Sequence, residues 1–277
     1  MIKTFCMWSL FYTILRLVHV KEVPLIEVAK YFIRGHYHLW FIYLISSLYL
    51  ITPIIRCITS SPKATEYYII IGFFIYFFLP RLSDFCSQFS IFGIDNISSA
   101  IQYVLTNTSF SQKTGYYVYY YILGYYLHAN DLTKAKAVLI YCLGILGCLL
   151  TVILTEWYSL ENKMASGRYY SPETLNVFFT TVSVYLFAKE LELKQKFCAR
   201  MKKAIHFTAR YSFSIYLLHP FVLGMLGSTF GLTTLSFNPI FSTPILAICV
   251  FCITWALSIL LEFLSFYVYE RRSKKED

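Results

Sequence analysis

Apolar residues in this chain come in long runs, broken at intervals by short polar stretches. The most informative run is HYHLWFIYLISSLYLITPIIR, from His36 to Arg56, in which Leu39 to Ile55 holds no charged side chain. At ~1.5 Å per residue, flanks included, it is long enough to cross a hydrocarbon core of about 30 Å. Its polar residues are not scattered. On a helical wheel His38, Ser46, Tyr49, Thr52 and Arg56 fall within roughly one third of the circumference, and Leu44, Leu48, Ile51 and Ile54 lie mainly outside it. Hydrocarbon penalises such a line, so it is expected to face protein or water.

The same pattern predicts further spans. Ile2 to Val20 is apolar but interrupted by Lys3 and Arg16, and Lys21 to Gly35 reads as a loop or an interfacial helix. Ala64 to Pro80 is rich in Phe and Tyr. Arg81 to Lys113 is the longest polar segment, with room for a short re-entrant helix over Asn96 to Leu105. Gly115 to Ala129 is a short Tyr-rich span, and Ala137 to Thr155 is charge-free. Pro172 to Ala188 is entered through Ser171-Pro172, a helix-start pair. Lys189 to Lys203 reads as a charged loop. Tyr211 to Leu261 has no Lys, Arg, Asp or Glu, and Gly227 to Pro244 divides it into two helices. The expectation is an all-α fold: a polytopic transmembrane helix bundle of about eight membrane-spanning helices, forming one domain over residues 1–277.

Composition narrows the class. Charged residues make up 14% of the 277 residues and hydrophobic ones 57%, whereas soluble domains carry about 25% charged residues. A sizeable soluble domain is therefore excluded. The net charge of +9 is not a nucleic-acid signal, because the basic residues sit in short loops and at the tail. With eight spans, fifteen Lys and Arg fall on the side of the termini and seven on the other. The positive-inside rule then puts both termini in the cytoplasm. The eight cysteines are scattered singly, which suggests neither a disulfide framework nor a metal site. Cys249 and Cys252 read as packed core thiols.

A second polar face lies in ARYSFSIYLLHPF, where Thr208, Ser212, Tyr216 and His219 cover less than a quarter of the wheel. Pro220 removes a backbone N–H there and bends the helix. His38 and His219 are expected at similar depth, toward the outer half, as an acid–base or substrate-orienting pair. Plainer roles compete. His219 can serve as a helix–helix hydrogen bond, His38 as an interfacial residue and Arg56 as a cytoplasmic anchor. Trp40, Tyr43 and Tyr49 suit an aromatic belt, and Gly144 with Gly147 suits helix packing.

At HLWFIYLISSLYLITPIIR the sequence resembles the acyltransferase-3 family of integral membrane acyltransferases, which includes O-acetyltransferases of bacterial surface polysaccharides. The likeness continues at YYVYYYILGYYL (Tyr116 to Leu127), at ARYSFSIYLLHP (Ala209 to Pro220) and at the last helix, running into Tyr269-Glu270-Arg271. The start at His38 to Phe41 and the ending at Tyr216 to Pro220 are its specific parts. Family members typically have about ten helices. MIKTFCMWSLFYTIL resembles the family's third, so the chain is similar to a member lacking the first two helices, with their arginine-and-aspartate motif and the histidine regarded as catalytic.

The resemblance implies acyl transfer in a bacterial plasma (inner) membrane, from a cytoplasmic thioester, usually acetyl-CoA, to a hydroxyl of a cell-surface or lipid-linked glycan. Acetyl-CoA or another acyl-CoA is then a co-substrate, with no bound cofactor and no metal, and the partners are donor, glycan acceptor and lipid bilayer. Arg56 and Lys63 can hold the donor's phosphates. His38 and His219 are the candidate catalytic residues. Trp40, Tyr43, Tyr49, Arg56, Ser212 and Tyr216 are the candidate substrate-binding ones, the tyrosines as donors to a developing oxyanion. Two other readings stay open: a glycan-handling membrane carrier or polymerase-like protein, and an inactive truncated remnant.

Overall fold

The computed structural model of the chain describes residues 2–18, 23–88, 95–107, 112–193 and 198–276. Lys21, Lys194 and Lys196, which enter the charge count above, lie outside them. The described residues contain helices and no strand. In chain order these are α1 (Ile2–Val18), α2 (Leu25–Arg34), α3 (Trp40–Thr59, preceded by a tight turn over Tyr37–Leu39), α4 (Pro62–Phe73), α5 (Leu79–Gln88), α6 (Asp95–Asn107), α7 (Gln112–Ala129), α8 (Lys134–Glu161), α9 (Leu175–Leu193), α10 (Ala199–Phe230) and α11 (Pro239–Glu276). A wide π-helical turn over Phe74–Phe78 joins α4 to α5, so the two run as one apolar rod.

Among the described residues, five helical stretches are long and apolar enough to cross a membrane: Tyr37–Thr59, Pro62–Ser87, Lys134–Glu161, Ala199–Phe230 and Pro239–Leu264. The chain is thus an all-α polytopic membrane protein. The other three spans counted in the sequence are shorter or more polar over their described residues. Helix α1 has 17 residues and contains Lys3 and Arg16. The tyrosines of α7 dilute its hydropathy, and α9 ends in Lys189, Glu190 and Glu192.

The chain divides into two compact units, Met1–Ser47 with Phe197–Asp277, and Leu48–Lys196. In the first, Tyr12, Leu39, Ile42 and Leu217 form a buried cluster, flanked by Trp8, Phe11 and Phe221. Helix α2 is held on α1 where the Ser9 hydroxyl donates to the Phe32 carbonyl, and where the Arg16 guanidinium lies 3.9 Å from the centre of the Tyr31 ring. Helices α10 and α11 pack through Val222, Leu226, Leu246 and Val250. The buried hydroxyls of Thr254 and Ser258 donate to carbonyls one turn back in their own helix, which satisfies them without water. Gly231 ends α10 in the left-handed region at φ 64°, a conformation open to glycine at little cost.

In the second unit the core is aromatic, built on Tyr76, Phe77, Tyr119 and Phe178. Helices α8 and α9 touch at Gly144 and Gly147. A Cβ at Gly144 would lie 2.3 Å from the Cβ of Ser183, and one at Gly147 2.3 Å from the Asn176 carbonyl oxygen. Small residues let two helices approach this closely without a polar penalty.

Two details depart from the sequence reading. The charged loop expected over Lys189–Lys203 is largely helical where described, with α9 running to Leu193 and α10 starting at Ala199. Ala, Met, Lys and Arg are strong helix formers, and their charges can reach outward from a helix end. Cys249 and Cys252 are exposed rather than packed in a core; on a membrane helix an apolar run need not face protein.

Candidate active site

The first unit gathers three histidines and two tyrosines at the start of α3. Backbone at His36 is extended, and the tight turn over Tyr37–Leu39 folds His38 back beside it. The two Nδ1 atoms are 2.9 Å apart, so one donates to the other. Tyr12 of α1 stacks on His36 at 4.4 Å between ring centres, and its hydroxyl donates to the Leu217 carbonyl at 2.7 Å. The Tyr216 hydroxyl donates to the His38 carbonyl. His219, one turn further along α10, brings its ring centre to 5.5 Å from that of His38.

The hydrogen bonds fix one tautomer. His219 Nδ1 lies 2.7 Å from the Tyr216 carbonyl, which only accepts, so Nδ1 carries the proton. In the neutral ring Nε2 then holds the lone pair and is free to take a proton. His219 also lines a cavity of about 380 Å³ between α10 and α11, walled mainly by Leu223, Leu246, Val250 and Phe251. His38 is 4% exposed, and its Nε2 is buried with no hydrogen-bond partner. An unpaired buried polar atom costs about 1–3 kcal/mol, an expense that core packing alone has no reason to carry. Burial, the nearby Arg16 guanidinium and His219 all hold His36 below the ordinary histidine value.

A family model described as an acyltransferase domain, Acyl_transf_3, matches residues 2–262. The chain belongs to that family. Comparison with curated proteins finds no match, and comparison with solved structures finds none either.

The remaining acyltransferase candidates are distributed unevenly. Tyr216 joins the histidine cluster directly, its ring centre 5.5 Å from His38 and 5.9 Å from His219. Tyr43 is half exposed, packs on Phe5, and donates its hydroxyl to the Ile33 carbonyl. Trp40 is exposed beside Phe41, and Ser212 is exposed on α10. Tyr49 and Arg56 are exposed and belong to the second unit. In the first unit, Arg200, Lys203 and Arg210, with His206, line an open concavity of about 520 Å³ at the start of α10.

His36 and Tyr12 were missed in the sequence. On a wheel of ~100° per residue, two positions separated by two residues point to opposite sides. The extended backbone at His36 breaks that rule, and the His-x-His spacing just ahead of a span was the available signal.

Proposed function

We propose that this membrane acyltransferase is an O-acyltransferase, and specifically an O-acetyltransferase. It moves an acyl group from acyl-CoA to a hydroxyl of a cell-surface or lipid-linked glycan across a bacterial inner membrane. Both termini are cytoplasmic in this reading. The observation that carries it is the His219 imidazole, its Nδ1 committed to the Tyr216 carbonyl, held beside His38 at the wall of a mainly apolar cavity.

A sugar hydroxyl is a weak nucleophile near neutral pH and needs a base at the moment of attack. In this scheme Nε2 of His219 takes the hydroxyl proton while the oxygen bonds to the thioester carbon. The C–S bond then breaks, the ester is released, and the imidazolium returns its proton to the departing CoA thiolate. Tyr216 and His38 orient the ring. In the first unit Arg200 and Lys203 offer phosphate-binding charge for the donor, Arg210 being paired with Glu262; Arg56 and Lys63 are the second unit's own candidates for that role. Trp40, Tyr43 and Ser212 contact substrate in the first unit, and Tyr49 is the second unit's own candidate for that role.

Membranes carrying the chain, given radiolabelled acetyl-CoA, should incorporate label into a glycan fraction. Label should fall to background in His219→Ala. Glycan labelling that is the same with and without the chain would sink the assignment.

A further inference from the structure

The second unit holds a cavity of about 630 Å³ between α5, α8 and α9, which none of the acyl-transfer chemistry uses. Its volume is in the range of ligand pockets, about 300–1,000 Å³. One wall is a column on α8: Leu143, Leu146, Leu150 and Leu154, with Phe179 of α9 facing it. Those leucines share one helix face and, continued to Trp157, extend for about 21 Å at the helical rise. One leaflet's share of a hydrocarbon core is about 15 Å.

The mouth of the slot is charged. Arg81 Nη1 lies 2.9 Å and Arg168 Nη2 3.6 Å from the same oxygen of Asp84. Two guanidiniums therefore share one carboxylate, leaving one positive charge in excess. The second nitrogen of Arg168, Nη1, donates to the Tyr158 hydroxyl at 3.3 Å. Arg81 Nε is buried and has no hydrogen-bond partner. Asn176, at the same wall, is already committed to Thr151 and the Tyr169 carbonyl. So the excess charge belongs to the arginine pair, at the mouth of the apolar channel.

We propose that this slot holds one anionic phospholipid, its phosphate diester on Arg81 and Arg168 and one acyl chain along the α8 leucines. A diester carries a single negative charge, which balances the mouth. A zwitterionic lipid brings an ammonium as well and leaves the excess uncompensated. A free phosphate meets the arginines but leaves the slot empty. The inference is independent of the acyl-transfer reading.

The full chain, purified in mild detergent, should be examined by native mass spectrometry after exchange with phosphatidylglycerol, phosphatidylcholine or inorganic phosphate. One phosphatidylglycerol should stay bound, at least tenfold more than phosphatidylcholine, and millimolar phosphate should not displace it. Arg81→Gln with Arg168→Gln should lower retention at least tenfold. Leu150→Trp, which fills the slot and leaves the charges in place, should do the same with unchanged circular dichroism. Equal retention of both lipids, retention unaltered in Leu150→Trp, or displacement by phosphate alone would each overturn the proposal. Should the double variant fail to fold, the lipid comparison and Leu150→Trp decide it.

Discussion

The hydroxyl of Tyr216 donates to the main-chain carbonyl of His38, and so ties the middle of α10 to the turn that opens α3. That bond acts on geometry rather than on chemistry. It fixes the turn in which His38 sits, while the Tyr216 carbonyl at the other end of the same residue holds the tautomer of His219.

Tyr216→Phe keeps the ring and removes the donor. A neutral hydrogen bond contributes about 0.5–1.5 kcal/mol net, so the fold should survive with a small drop in melting temperature. Turnover in an acetyl-transfer assay should fall about tenfold, because small displacements of a reacting group are costly, and the Michaelis constant for acetyl-CoA should hardly move. An equal fall in donor affinity would place Tyr216 at the donor instead.

His219→Ala should cost 10²–10⁴-fold in rate, roughly the range for a positioned general base. Added imidazole should restore part of it, since the deleted ring leaves its space beside the 380 Å³ cavity. Full activity in His219→Ala would remove this ring from the reaction.

Much of this arrangement was legible in the sequence, and the illegible part has a clear cause. Polar residues in an apolar helix stand out against their surroundings, so His38, Tyr216 and His219 could be picked from two wheels. A wheel assumes one helix throughout. His36 lies on extended backbone ahead of the helix, and Tyr12 comes from a separate helix whose only sign is an aromatic among aromatics. Exposure was harder still. Membrane helices are apolar on both lipid and protein faces, so periodicity does not tell Ser212 and Tyr49, both exposed, from Tyr216, which is partly buried. The arginine pair at the α8 slot needed coordinates, because Arg81 and Arg168 are far apart in the chain.

Acid should inactivate the site through His36. Its pKa is held below the ordinary value by burial first and then by Arg16 and His219. Tyr12, Tyr37 and His38 also face it. Between that lowered value and about 6.5 the unfolded chain binds a proton that the folded site resists. Stability linked to His36 is therefore complete above about 6.5 and lost as pH falls through the lowered value. Arg16→Gln removes a neighbouring cation, so it should move the acid limb of the rate to higher pH and shrink the acid loss of thermal stability, because the folded site then resists the proton less. A limb that stays in place in Arg16→Gln belongs to another group.

Gly147→Ala tests the close approach of α8 and α9. Its new methyl would meet the Asn176 carbonyl oxygen at 2.3 Å, and backbone cannot rotate away as a side chain can. Overpacking of this kind costs about 1–3 kcal/mol, so the apparent melting temperature should fall by several degrees. Gly224→Ala is the matched control. Nothing lies within 4 Å of a Cβ there, and its melting temperature should equal the wild type's or exceed it slightly.

His38 offers the sharpest separation of folding from activity. Its Nε2 is buried with no partner, and such an atom costs about 1–3 kcal/mol that an apolar ring would not. His36, partly exposed, can turn to water when its neighbour is replaced. His38→Phe should therefore melt no lower than the wild type while losing at least a hundredfold in acyl transfer. A residue kept for packing gives the opposite pattern, with stability falling first and activity following it. Thermal melts and label incorporation on the same preparation distinguish the two. A variant that melts well below the wild type, with activity lost only in proportion, would make His38 a structural residue.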